Sequence, residues 1–173
     1  MSDPVEELIT RYRSAIFTGQ ESTAKIDNVL ELARLRDLRV VRFFIEIAGN
    51  SNEYDLARIE ALKALELRKV EPNEKDDVVR MIGRVLQQDN DDDVRSYAAR
   101  ALAGYIEVSG ALDIAAERVL DPDEDDDVRH NAFFAIERSK PTLQAIAAME
   151  RCSNEAKFRE GAIRVLHSWS QRG

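Results

Sequence analysis

Apolar positions recur along this chain with the spacing of one helical face, in blocks that echo one another. Four blocks open with an apolar residue followed by arginine: Ala57 and Arg58, Val94 and Arg95, Val128 and Arg129, Phe158 and Arg159. Four residues on from each opening residue stands alanine (Ala61, Ala98, Ala132, Ala162). Seven on comes a smaller apolar residue (Ala64, Ala101, Ala135, Val165), and eight on a large aliphatic (Leu65, Leu102, Ile136, Leu166). The four arginines stand 37, 34 and 30 residues apart. These offsets share one side of a helix. The alanine lets a neighbouring backbone come close, and the aliphatic one turn later fills the remaining space. One such helix could not bury its own apolar face, so the blocks must stack.

Each block has an apolar-faced helix in front of it. These are predicted over 40–48 (Phe43, Phe44, Ile47), 78–86 (Val79, Ile82), 112–120 (Ile114, Val119) and 143–149 (Ile146, Met149). The unit is helix, loop, helix, repeated over 37–69, 76–109, 111–140 and 142–170. Residues 1–36 hold two more helices, near 5–17 and 23–35, that fit the pattern poorly and read as an N-terminal cap. The acidic runs 89–93 and 121–127 precede second helices, where carboxylates can accept from free N–H groups and face the positive dipole end. Pro72 and Pro141 are expected in turns between units, and 49–52 in a turn within the first.

Residues 93–102 (DVRSYAARAL) and 127–136 (DVRHNAFFAI) resemble the second helix of HEAT-like repeats, in the short form found in bacterial proteins. The resemblance spans roughly 38–169. It implies an all-α fold: a right-handed α/α superhelix of about four helical hairpins behind the N-terminal cap, in a single domain. It also implies an aspartate–arginine ladder between adjacent repeats. Arg58, Arg95, Arg129 and Arg159, with Asp93 and Asp127, would then be structural. The end repeats depart from this pattern: Asp55 stands one residue early, and Lys157 replaces the aspartate. The superfamily includes scaffolds, phycobilin lyases, DNA glycosylases and toxin-neutralising immunity proteins, so the fold alone selects none of them.

Charge narrows the choice. The 173 residues carry a formal net charge of -8 at pH 7, which weighs against a polyanionic nucleic acid and toward a basic protein partner. An apolar fraction of 44% beside 34% charged residues describes a folded domain. No apolar run is long enough for a membrane span, and the first residues have neither the basic nor the apolar part of a secretory signal. Cys152 is the one cysteine, so no intrachain disulfide can form. The expected compartment is the cytoplasm.

The candidate chemistry is sparse. The acidic loop 121–127 lacks the glycine and the spaced glutamate of an EF-hand, and reads as a capping loop. His130 and His167 fall in different units, so no metal site is expected. Cys152 has no local base and reads as a core residue. A glycosylase would need a positive groove, for which Arg100 and Arg164 with Trp169 are the candidates. The net charge counts against that role, and no residue set marks a phycobilin site. No cofactor is expected. With the packing offsets assigned, the solvent positions of the second helices carry Glu60, Lys63, Tyr97, Arg100, Asn131, Phe134, Arg138 and Arg164. Tyr97 and Phe134 are the informative ones, because aromatic and arginine side chains dominate binding hot spots. The expected function is a non-catalytic protein-binding module: an immunity protein against a basic toxin, or an adaptor in a larger assembly.

Overall fold

The computed structural model describes residues 3–15 and 22–171. Among these residues the chain is all-helical, with ten α-helices and no strand. They are α1 (Pro4–Ser14), α2 (Ser22–Ala33), α3 (Leu38–Gly49), α4 (Asp55–Leu67), α5 (Pro72–Gln88), α6 (Asp92–Ala101), α7 (Ala111–Leu120), α8 (Asp126–Glu137), α9 (Leu143–Ser153) and α10 (Arg159–Ser170). A 3-10 turn, Leu102–Gly104, extends α6.

Short polar side chains start several of these helices. Asp3, Asp37, Asp91, Asp125 and Thr142 each accept a backbone N–H of the first turn that has no intrahelical partner. Pro72 differs from expectation. It does not occupy a turn between units but opens α5, so this helix begins well before residue 78. Proline suits that place, because its φ is preset and its missing N–H would have had no partner. Phe17, expected at the end of the first helix, lies outside the described residues.

Successive helices pair as α1 with α2, α3 with α4, α5 with α6, α7 with α8 and α9 with α10. Even helices also pack on one another, α2 on α4, α4 on α6 and α6 on α8. Odd helices form the second row, α1 to α3 to α5 to α7 to α9. The alanines predicted for close packing, Ala61, Ala98, Ala132 and Ala162, are all fully buried. Large aliphatics beside them, such as Leu65, Leu102 and Ile136, are equally buried, each stabilising the fold by roughly 1.5–3 kcal/mol of apolar transfer. Approach is closest at Gly104, where a Cβ would sit 2.8 Å from the Glu66 carbonyl oxygen. The Tyr105 hydroxyl donates to the Leu65 carbonyl at 2.6 Å beside it. The step from α8 to α10 is the loosest in the even row, and α10 rests chiefly on α9.

Candidate functional site: the ladder edge and the even-helix face

Two sets of cations organise the even helices. The first lies along the edge where acidic loops lead into them. Arg58 is almost wholly buried, its Nε donating to the Ala48 carbonyl at 3.3 Å and its guanidinium pairing with Asp89 of the following unit. Arg95 pairs with Glu124 at 2.9 Å, and Arg129 with Glu155 at 3.2 Å. Arg129 Nε also donates to the Val119 carbonyl at 3.0 Å. Lys25 of α2 pairs with Glu53 at 2.5 Å. In this contact α2 behaves as the second helix of a unit, although its sequence reads only as a cap.

The ladder therefore exists, but not with the expected acids. Asp93 and Asp127 are exposed and make no ion pair among the described residues. An aspartate one residue before the first helical contact points to solvent. The carboxylates that reach the arginines stand further upstream, in the loop, where they can turn back toward the previous helix. Three of them have a second task. Glu53 accepts from Tyr54 N–H, Asp89 from Asp91 N–H and Glu124 from Asp125 N–H. Each thus fixes the entry to its own even helix while binding the base on the preceding one. Arg159 departs most from expectation: it is exposed, and its Nε donates to the Ser153 carbonyl at 3.4 Å with no carboxylate paired to it among the described residues. Lys157 also breaks the pattern, joining Asp126 at 2.5 Å.

Acidity follows from these contacts. Burial works to raise the Asp89 carboxyl. The Arg58 hydrogen bond, the Asp91 backbone donor and the charges of Arg58 and Arg95 outweigh it and hold Asp89 below the ordinary aspartate value. Glu53 is likewise held low, burial being offset by Lys25 and the Tyr54 donor.

The second set lies on the solvent side of the even row, where the sequence placed its binding residues. Lys63 bonds Glu60 at 2.7 Å and sits 4.9 Å from the centre of the Tyr97 ring. Arg100 bonds Glu66 at 3.3 Å and lies 4.1 Å over the Phe134 ring, with Arg138 at 5.9 Å from the same ring. Asn131 donates to Ser96 Oγ at 2.8 Å. Seven of the eight expected residues thus fall into an array of three contact groups across α4, α6 and α8 and the residue that follows α8. The rings hold the cations in place and are held by them.

Two depressions open beside this array. One, of about 460 Å³, is lined by Tyr97, Arg100, Ser96, Asn131 and Glu66 together with the unpaired Asp93 and Asp127. The other, about 240 Å³, is lined by Leu67, Phe134 and Arg138. Leu67 is 86% exposed, an aliphatic left open beside an aromatic. Arg164, the eighth expected residue, lies elsewhere. It lines the gap between α8 and α10 with Phe133, Glu137 and Trp169.

Cys152 is buried, and desolvation pushes its thiol up to about 11, so it is protonated at neutral pH and packs as core. His130 Nδ1 lies 2.7 Å from the Asp126 carbonyl, and its ring meets the edge of Phe158. Both contacts belong to its own junction.

No model of a known family matches the chain. No curated protein shows detectable sequence similarity to it. Among the described residues no helix is long and apolar enough to cross a membrane.

Proposed function

We propose that the chain is a HEAT-like α-solenoid that acts without catalysis, binding a basic protein through its even-helix face. Row-on-row packing and the ladder between units support the solenoid. One observation carries the choice of partner. On this face Lys63 and Arg100 are spent on internal acids and rings, while Asp93 and Asp127 stand exposed and unpaired, one unit apart, lining one depression with Tyr97 and Asn131. A lysine or arginine of a partner would gain two carboxylates and an aromatic wall there. An aliphatic or aromatic side chain would settle on Leu67 and Phe134. Neutralisation of a basic toxin by a compact acidic immunity protein is the form of this function that we favour, and the net charge of -8 would speed such an encounter.

The test is capture of partners on the tagged protein, followed by titration with each purified candidate at several salt concentrations. A basic partner is expected, bound more weakly as salt rises. Asp93→Lys with Asp127→Lys should abolish binding, and Tyr97→Ala with Phe134→Ala should weaken it at least tenfold. An acidic partner, or binding indifferent to all four substitutions, would overturn the reading.

A further inference from the structure

The wide step between α8 and α10 leaves a cleft inside the row, walled by one helix on each side. Phe133 of α8 stands where α4 and α6 carry Leu62 and Ala99, which are fully buried under the next even helix. A phenyl ring in that place sets the helix axes further apart. It is half-buried and stacks on Phe158 with centroids 5.1 Å apart. On α10 the cleft is lined by Gly161, Arg164, Val165 and Ser168, which share one face of the helix. Gly161 keeps the space open, since a Cβ there would stand 3.2 Å from Phe133 Cζ. The room is about 260 Å³, enough for one small molecule.

The lining divides by chemistry. Its buried part is apolar, with Val165 and Trp169 beside the Phe133 ring. Its exposed part is charged, with Glu137 from α8 and Arg164 from α10. Lys63 and Arg100 are engaged by internal acids, but the side chains of Glu137 and Arg164 make no ion pair or hydrogen bond among the described residues. Trp169 is only 6% exposed, and its indole N–H donates to no group among the described residues. A buried tryptophan ordinarily finds an acceptor. This N–H is not among the polar atoms sealed from solvent, so an acceptor from outside has access to it.

These groups select a ligand by its charges. A simple cation is opposed by Arg164 and a simple anion by Glu137. A wholly apolar molecule would cover both charges and the indole donor without pairing them. A molecule with both signs close together beside an apolar group meets every demand.

We propose that the cleft binds a free α-amino acid with an apolar side chain. The ammonium group pairs with Glu137. The carboxylate accepts from Arg164 and from the indole N–H of Trp169. The side chain packs against Phe133 and Val165. Occupation ties α8 to α10 at the loosest step of the row, so the ligand also steadies the C-terminal hairpin.

Trp169 is the one tryptophan, so its emission reports on the cleft directly. The test is a fluorescence titration of the full chain with L-leucine and L-phenylalanine, repeated by calorimetry. Glycine, leucinamide and N-acetylleucine serve as probes that lack the side chain, the carboxylate and the ammonium in turn. Saturable one-to-one binding of leucine or phenylalanine is expected, at least tenfold tighter than that of any of the three probes. Glu137→Gln and Arg164→Gln should each weaken it at least tenfold, with circular dichroism unchanged because both side chains are exposed. No saturable response to either amino acid overturns the proposal. So does binding that leucinamide or N-acetylleucine matches, or that survives both substitutions. The cleft shares no residue with the depression at Asp93 and Asp127, so partner binding there stands or falls separately.

Discussion

Arg58 and Arg100 stand on neighbouring even helices and each meets a carboxylate, yet they belong to different kinds of site. Arg58 is enclosed, with a backbone carbonyl and a buried carboxylate taking its donors. Arg100 is half-exposed, lying flat on Phe134 with Glu66 at its edge. The ladder closes its cations away from any ligand. The face keeps its cations in reach of solvent but already engaged. The contrast shows that residue type says little here. Position on the helix decides whether an arginine joins units or shapes a surface.

The largest effect should come from breaking the buried side of this contrast. Arg58→Ala leaves Asp89 buried without its partner, and should cost about 3–5 kcal/mol of stability in urea denaturation. Removing both charges, with Arg58→Met and Asp89→Ala, should recover part of that loss. Acid should act next. Asp89 and Glu53 bind protons less readily folded than unfolded. Their contribution is complete above the ordinary carboxylate range of about 4 and is lost as pH falls through their lower native values. Thermal melts from neutral pH downward should therefore hold nearly level and then drop in that acidic window. A drop that persists unchanged in Asp89→Asn with Glu53→Gln would refute the assignment. Tyr97→Ala with Phe134→Ala should cost only about 1 kcal/mol, since both rings are partly exposed. Arg159→Ala should be smallest, within about 0.5 kcal/mol, because no carboxylate is lost with it. An effect as large as that of Arg58→Ala would erase the distinction between inner and terminal rungs.

Much of the architecture is legible in the sequence because packing leaves a periodic trace. Alanine at one fixed offset and an aliphatic four residues later mark the even helices in all four blocks. The face is legible by subtraction, and seven of its eight residues do converge. Arg164 does not, because the loose step from α8 to α10 carries it away from the array, and no periodic pattern reports a change in spacing between helices. The ladder acids are hidden for a different reason. Glu53, Asp89, Glu124 and Glu155 precede their local arginines by five, six, five and four residues, so no fixed register marks them. Each binds the lysine or arginine of the unit before, a contact between residues some thirty apart. Asp93 and Asp127 keep the regular spacing and are the more visible, yet their places in the first turns of α6 and α8 leave them exposed. Lys25 is hidden because α2 shares its role but not its surrounding sequence.

The doubled role of Glu53, Asp89 and Glu124 has a kinetic side. Each carboxylate holds the N-cap of its own helix while it takes a cation of the previous unit. Order therefore passes from neighbour to neighbour, and a unit without a neighbour on one side opens more readily. The C-terminal hairpin is loosely joined to the unit before it, with Arg159 meeting no carboxylate among the described residues and α8 at a distance. Amide protons of α10 should exchange with solvent first, and those of α4 and α6 last, so that unfolding proceeds as a fraying from one end.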